Sequence, residues 1–366
     1  MAKRLMSGSW QNIGQSSCRP FSAITPKLNR FEHHTDIKLI KSHEYQCFIR
    51  PDYNVVTVSL HGADRREENS LTSPAPAISQ VPNGGLTSSI ALKASMAEVG
   101  SALVPVSATT HFHAMADSDA VGVVTASETS RSRAQAVVST QLVQGGQLKA
   151  DTCVVFADPT RLRGPQYFDK ALQPPQLPPI GQCHTPRTMQ PFVPLRDMYD
   201  VRLPQEAAQG GNLFELFTAA MQAASVGKGI DSIDPGLFSA SACLEGYIAH
   251  SSGEPVQMHH LGFFADCLPP PMVQMECAVG NWVPTLQLSV YFRGTPLGAG
   301  APHISQRGSP YAPAEDGNAA QWLRFRFVTR CITNGVCDID GELWDETGSL
   351  VAQSRQLARL IPPPKR

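Results

Sequence analysis

The chain has 366 residues, enough for two ordinary domains or one duplicated domain with a large core. Its formal charge is -1 with acids and bases interleaved, so no basic face exists to neutralise a run of phosphates, and nucleic acid is not expected as a partner. No uninterrupted apolar stretch reaches the roughly 20 residues a bilayer crossing needs, and the nine cysteines, an odd and dispersed set without a CxxC pair, suggest reduced, buried, structural thiols.

Taken in chain order, residues 1–28 carry Lys3, Arg4, Arg19, Lys27 and several serines, and no acid precedes Glu32. That composition fits either a mitochondrial transit peptide or a disordered extension, and both readings stay open. A mitochondrial or cytoplasmic location is expected, not secretion, and the terminal PPPKR is not a peroxisomal signal. A first domain is expected over 29–157. Within it, His61 to Gln80 is polar and proline-bearing, which predicts a surface insertion. Asn83 to Gly100 (NGGLTSSIALKASMAEVG) opens with glycines and spaces Leu86, Ile90, Ala94 and Met96 or Ala97 as a helix does, closely packed by small residues. LVPVSATTHFHA, SRAQAVVSTQLVQ and LKADTCVVF then read as strands, rich in Val and Thr.

Asp158 to Pro191 is proline-rich and aperiodic, which predicts a linker, and a second domain is expected over 192–361. Gly211 to Gly229 predicts an additional helix. The order then returns: a helix-compatible segment around Asp266, followed by WVPTLQLSVYFRG, WLRFRFVTRCI, VCDIDGELWDE and LVAQSRQLARL as strands. In the first of these, Leu286, Leu288, Val290 and Phe292 alternate with largely polar residues.

The two halves can be overlaid. Val104-Pro105 falls on Pro284-Thr285, His111-Phe112 falls on Tyr291-Phe292, and Gly146 to Val154 falls on Gly348 to Gln356. Such a repeat suggests two copies of one fold on a pseudo-twofold axis. Where the copies differ, the second is the polar one: Thr285 replaces Pro105, Gln356 replaces Val154, and Asp266 has no acidic counterpart in the first helix. Strand parity puts Gln356 with Leu350, Ala352, Ala358 and Leu360, facing inward, where an amide must find partners. Thr285 shares parity with Gln287, Ser289 and Arg293, so its direction is not fixed by pattern. Each residue alone has a structural explanation: a buried Gln satisfying backbone, a Thr starting a strand, an Asp before Pro capping a turn. Three polar replacements confined to one copy favour a site.

WVPTLQLSVYFRG, ELWDETGSLVAQSRQLARL, FADCLPPP and the NGG before the first helix together resemble the double-hotdog acyl-CoA thioesterases of the thioesterase II type and related fungal thioesterase-like proteins. The resemblance runs from about Asn29 to Leu360. It implies an α+β fold of two tandem hotdog domains, each a curved antiparallel sheet wrapped around a central helix. It also implies a catalytic Asp, Thr and Gln, which fall on Asp266, Thr285 and Gln356. The implied reaction is hydrolysis of acyl-CoA or another acyl thioester without cofactor or metal, Asp266 acting on a water that Thr285 and Gln356 hold. Gly84 and Gly85, at a helix start, are candidate donors to the thioester oxyanion. Pro269, Pro270 and Pro271 depart from the family pattern and should end the second helix just past the acid. A homo-oligomer is compatible with the fold.

Other chemistries find less support. GxSxG and GxxxxGK[ST] are absent, and Gly298 to Pro302 is glycine-rich without a following helical sequence. His111 and His113 share a strand face, with no third ligand spaced to join them. Hotdog hydratases need an Asp with a His at short spacing, which does not follow Asp266, and an acyl-binding auxiliary protein without turnover remains a third alternative.

Overall fold

Along LVAQSRQLAR (Leu350–Arg359), Ala352, Ser354, Gln356 and Ala358 are buried while Arg355, Leu357 and Arg359 are exposed. That alternation is what a strand adopts with one face on a core and the other in water. The computed structural model describes residues 31–59, 77–162, 172–186, 194–205, 232–238, 242–278, 281–299 and 318–361, with isolated residues between these stretches. The 1–28 extension and most of the helix expected over Gly211 to Gly229 lie outside the described residues.

The first half contributes a short helix α1 (Phe31–His34), strands β1 (Ile37–Lys41) and β2 (Glu44–Ile49), a side pair β3 (Asn54–Ser59) and β4 (Ala77–Pro82), and the helix α2 (Gly84–Val99). After α2 come β5 (Val104–Phe112), β6 (Ala120–Arg131), β7 (Gln135–Gln144) and β8 (Gln147–Ala157). The second half contributes β9 (Tyr199–Arg202), β10 (Cys243–His250), a helix α3 (His260–Phe264), β11 (Thr285–Phe292), β12 (Trp322–Thr333), β13 (Val336–Trp344) and β14 (Leu350–Arg359). Twelve strands form one antiparallel sheet in the order β1-β2-β6-β7-β8-β5-β11-β14-β13-β12-β10-β9. Outward from the β5/β11 seam the two halves run identically: β5, β8, β7, β6, β2, β1 against β11, β14, β13, β12, β10, β9. At the seam Val290 faces Ala108 and Gln287 faces His111.

Helix α2 starts where Asn83 accepts the Leu86 amide at 3.1 Å, a side-chain N-cap. It stops at Gly100, whose φ of 77° an L side chain would strain. Between them Leu86, Ser89, Ile90, Ala94 and Ser95 are almost wholly enclosed, because the helix lies against β5 to β8 on one side and α3 on the other. Burying Leu86 and Ile90 contributes about 1.5–3 kcal/mol each. Ala97, proposed as a core position, is exposed, and Met96 is half-buried.

The second half departs from a matching long helix. Helix α3 has five residues, and Asp266 sits just past its end, its amide donating to the Phe263 carbonyl at 3.0 Å. Pro255 upstream and Pro269 downstream bound the segment, and neither supplies the N–H a continuing helix needs. A separate single turn, Pro271–Gln274, follows.

Other expectations also change. Ala77 to Gln80, assigned to a surface insertion, belong to β4, while 61–76 lie outside the described residues. The described part of the Asp158 to Pro191 linker is irregular apart from a turn closed on the Asp158 carbonyl, a single 3-10 turn, Ile180–Gln182, and a bridge from His184 to Leu203. Of the described cysteines, Cys47, Cys183, Cys267 and Cys337 are buried, but Cys153, Cys277 and Cys331 are exposed on strand faces and loops.

Candidate active site

The site is assembled where α2 and α3 meet. Ser89 Oγ donates to the His259 carbonyl at 2.7 Å, and Asn83 Nδ2 donates to the Asp266 carbonyl at 2.8 Å while its Oδ1 caps α2. The approach is close enough to require glycine. A Cβ at Gly85 would stand 2.8 Å from the Phe263 carbonyl and 3.0 Å from that of Gly262, and one at Gly84 would stand 2.8 Å from Asp266 Oδ2. This explains the NGG at the head of α2 better than turn chemistry does.

The Asp266 carboxyl is gripped from both sides. Oδ2 accepts the Gly85 amide at 2.8 Å. Oδ1 accepts Thr285 Oγ1 at 3.2 Å and Gln356 Nε2 at 2.6 Å, and the same Gln356 amide donates to Thr285 Oγ1. Thus the acid past α3, the first residue of β11 and an inward residue of β14 meet in one cluster. Gln356 is buried, as its parity required, between cross-strand neighbours Leu288 and Ile339. Thr285 reaches the cluster through an irregularity: the β11–β14 register shifts between Thr285 and Gln287, which breaks alternation and leaves Leu286 outside. Leu286 had been counted with the apolar face.

As a residue Asp266 keeps some exposed surface, but its carboxyl lies deep, and burial pushes its pKa up to about 7 against the opposing pull of the Thr285 and Gly85 hydrogen bonds. A carboxyl of that kind exchanges protons near neutrality. Asp345, also buried, offers a contrast. Its Oδ1 takes the amides of Thr347 and Ser349 and the Thr347 hydroxyl, closing the β13–β14 hairpin, and its Oδ2 takes the amide of distant Leu297. Beside Gln356 a small crevice, with room for about one water molecule, is lined by Ala265, Leu268, Pro269, Pro270, Pro271, Phe327 and Ile339. The three prolines therefore form a wall next to the cluster, several residues beyond the helix they were expected to end.

Of the two glycines proposed for an oxyanion, Gly85 gives its amide to Asp266. In the first half, Pro105 and Val154 are buried at the positions of Thr285 and Gln356, and the interior hydroxyls there bond one another instead: Ser88 to Thr110 and Thr110 to Thr152, each at 3.0 Å. His111 and His113 lie on the wet face as expected, and Asp151 bridges them as a hydrogen-bond acceptor rather than as a third metal ligand, through Oδ1 to His113 and through Oδ2, 3.3 Å from His111 Nδ1.

Sequence reasoning missed a cluster at the other end of α3. Glu32 Oε2 lies 3.1 Å from His259 Nε2 and 3.3 Å from His260 Nε2, and Oε1 takes Lys93 Nζ at 2.7 Å. Three ligand-type atoms so close could hold a metal ion. Yet the Gln257 amide donates to His260 Nδ1 at 3.1 Å, which puts the imidazole proton on Nε2, the atom a metal would need. The arrangement is satisfied as a carboxylate accepting two imidazole N–H groups, and it holds Glu32 well below the usual carboxylate range, chiefly through His259 and His260. The available signals were the adjacent His259-His260 pair and Glu32 as the first acid of the chain.

Solved structures share this architecture. A thioesterase II candidate from Thermobifida fusca is 22% identical, with 90% of this chain and 97% of that one covered and a TM-score of 0.61. A protein of Alicyclobacillus acidocaldarius with a hot dog fold is 18% identical over 91% and 98%, with a TM-score of 0.63. An acyl-CoA thioesterase II from Mycobacterium marinum is 14% identical over 91% and 99%, with a TM-score of 0.57. Comparison with curated proteins finds no match. The fold is thus a hotdog fold. The acyl-CoA thioesterase N-terminal domain profile matches residues 71–157, and the acyl-CoA thioesterase C-terminal domain profile matches 200–360. The chain belongs to the acyl-CoA thioesterase family and is a thioester hydrolase.

Proposed function

We propose that the two halves are two hotdog copies and that the second carries the reaction: acyl-CoA and water to a fatty acid and CoA, with Asp266, Thr285 and Gln356 as the catalytic residues. The observation that carries the reading is convergence. Three side chains from separate elements, each polar only in the second copy, meet at one carboxyl oxygen, and Gln356 opens from there onto a crevice walled by Leu268, Phe327 and Ile339. In this reading ionised Asp266 takes a proton from a water at the crevice mouth, and the water oxygen bonds to the thioester carbonyl carbon. The C–S bond then breaks, and the proton passes to the departing CoA sulfur. Thr285 and Gln356 orient the water and the carboxylate, a contribution of positioning rather than charge. With the Gly85 amide held by Asp266, the Gly84 amide is the candidate donor to the developing oxyanion. The apolar lining of Leu268, Phe327 and Ile339 suits the first carbons of an acyl chain.

The hydratase alternative needs a histidine on the acid, and the hydrogen bonds to the Asp266 carboxyl come from Asn83, Gly85, Thr285 and Gln356. The test is thiol release from acyl-CoAs of graded chain length. Wild type should turn over, and Asp266→Asn should lose on the order of 10² to 10⁴ in rate while staying folded. An Asp266→Asn protein with full activity sinks the assignment. Binding of a non-hydrolysable acyl-CoA by wild type without turnover of the thioester would favour an acyl-binding role.

A further inference from the structure

Helix α3 presents Asp266, but five residues do not make a helix that stands by itself. Its far end is fixed by the Asn83 and Gly85 contacts to Asp266 described above. Its near end has no side-chain N-cap of the usual kind. There the Gln257 to His260 turn is closed by the His260 amide donating to the Gln257 carbonyl at 3.1 Å and the Gln257 amide donating back to His260 Nδ1. This is a histidine version of the reciprocal capping box. Closing it leaves His260 with a proton on Nε2, buried, in need of an acceptor, and His259 Nε2 is buried beside it. Glu32, from the opposite end of the chain, accepts from both.

The same short segment reaches α3 by packing. Phe31 lies 4.7 Å from the ring of Phe263 and 4.8 Å from that of His260, and its amide donates to Glu254. Behind His260, His250 Nε2 stands 3.0 Å from Nδ1. Because Nδ1 is bare, His250 must be the donor, which leaves His250 Nδ1 buried, 3.8 Å from Glu254 Oε1 and without a hydrogen-bond partner among the described residues. Among the described residues the other oxygen at the pair is Thr35 Oγ1, 3.4 Å from His259 Nε2, so removing Glu32 leaves His259 that contact while His260 Nε2 loses its acceptor.

We propose that Glu32 is a positioning residue for Asp266: by accepting both imidazole protons at the start of α3, it sets the axis along which the helix delivers the acid to Gly85, Thr285 and Gln356. The segment before β1 is thereby part of the active-site support, although the catalytic residues all lie in the second half. The proposal rests on the catalytic reading of Asp266 only for its effect on rate. Its effect on the Asp266 carboxyl itself does not depend on that reading.

The experiment follows that carboxyl directly, by carbon-13 NMR titration of protein labelled at Asp carboxyls, with Asp266→Asn to assign the signal, alongside kcat and KM for an acyl-CoA. Glu32→Ala should displace the Asp266 titration by about half a pH unit or more. It should also lower kcat by about tenfold or more with KM little changed, since misplacement of a catalytic group by about 1 Å costs on the order of 10². Glu32→Gln, which keeps one acceptor oxygen, should fall between Glu32→Ala and wild type. Lys93→Ala removes the third partner of Glu32 but neither imidazole contact, so it should reduce thermal stability while leaving the titration and kcat unchanged. An unchanged Asp266 titration in folded Glu32→Ala overturns the proposal. If Glu32→Ala does not fold, a wild-type titration in Glu32→Gln overturns it equally. A displaced titration with wild-type kcat would uphold the positioning and instead refute the catalytic reading of Asp266.

Discussion

Replacing Asp266 by Asn should make the protein more resistant to unfolding at alkaline pH relative to wild type. Burial raises the Asp266 pKa from 3.8 to about 7, so between these values the folded state binds a proton that the unfolded chain has released. The slope of stability with pH follows protons bound in the unfolded state minus those bound in the folded state, and here that difference is negative. Stability contributed by this group is therefore complete below about pH 4 and is lost as pH rises through about 7. A displacement of about 3 units at 1.36 kcal/mol each corresponds to about 4 kcal/mol. Asparagine does not titrate, so it does not incur the loss. Its own mismatch with the donors Gly85, Thr285 and Gln356 costs about 1–3 kcal/mol, but equally at every pH. Urea unfolding of both proteins from pH 4 to pH 8.5 should then show their stability difference moving by about 3–4 kcal/mol toward the asparagine variant. Parallel pH dependences would refute the reasoning, because they would mean that the carboxyl is not desolvated in the fold.

Gly85→Ala should destabilise by about 1–3 kcal/mol and depress activity with it, since the added carbon meets the Phe263 and Gly262 carbonyls at 2.8 and 3.0 Å and must part α2 from α3; thermal unfolding checks this. Thr285→Val keeps the shape but removes a donor that favours the ionised carboxyl, so the Asp266 titration should move to higher pH as rate falls, and a shift to lower pH would contradict it. Asp345→Ala leaves the Leu297, Thr347 and Ser349 amides without their acceptor, and the cost should be about 2–4 kcal/mol in denaturant unfolding with kcat unchanged in the folded fraction.

The sequence carried some of this more clearly than the rest. β14 was legible because its polar and apolar residues alternate over ten positions, and Gln356 is an amide on the buried side of that alternation. β11 was half legible: its core residues follow period two, but the irregularity that turns Thr285 toward Asp266 and Leu286 toward solvent depends on pairing with β14. β6 was not identified, because AVGVVTASETSR is small and polar enough to read as loop, and it becomes a strand by being paired on both sides with β2 and β7. Pro269, Pro270 and Pro271 already limit the second helix in the sequence and Pro255 bounds it upstream, whereas its dependence on Glu32 is not legible there, since that contact joins residues more than two hundred positions apart. The glycines of NGG were visible as a signal, but what they accommodate is the α3 backbone and the acid, a tertiary fact.

The most direct test of the account is the pH dependence of kcat/KM for acyl-CoA hydrolysis by the wild-type protein. If Asp266 is the base and its burial sets its working range, the rate constant should rise with pH through an apparent pKa of about 7 and level off above it, and Asp266→Asn should lack that limb. A limb near the ordinary aspartate value, or the same limb surviving in Asp266→Asn, would contradict it.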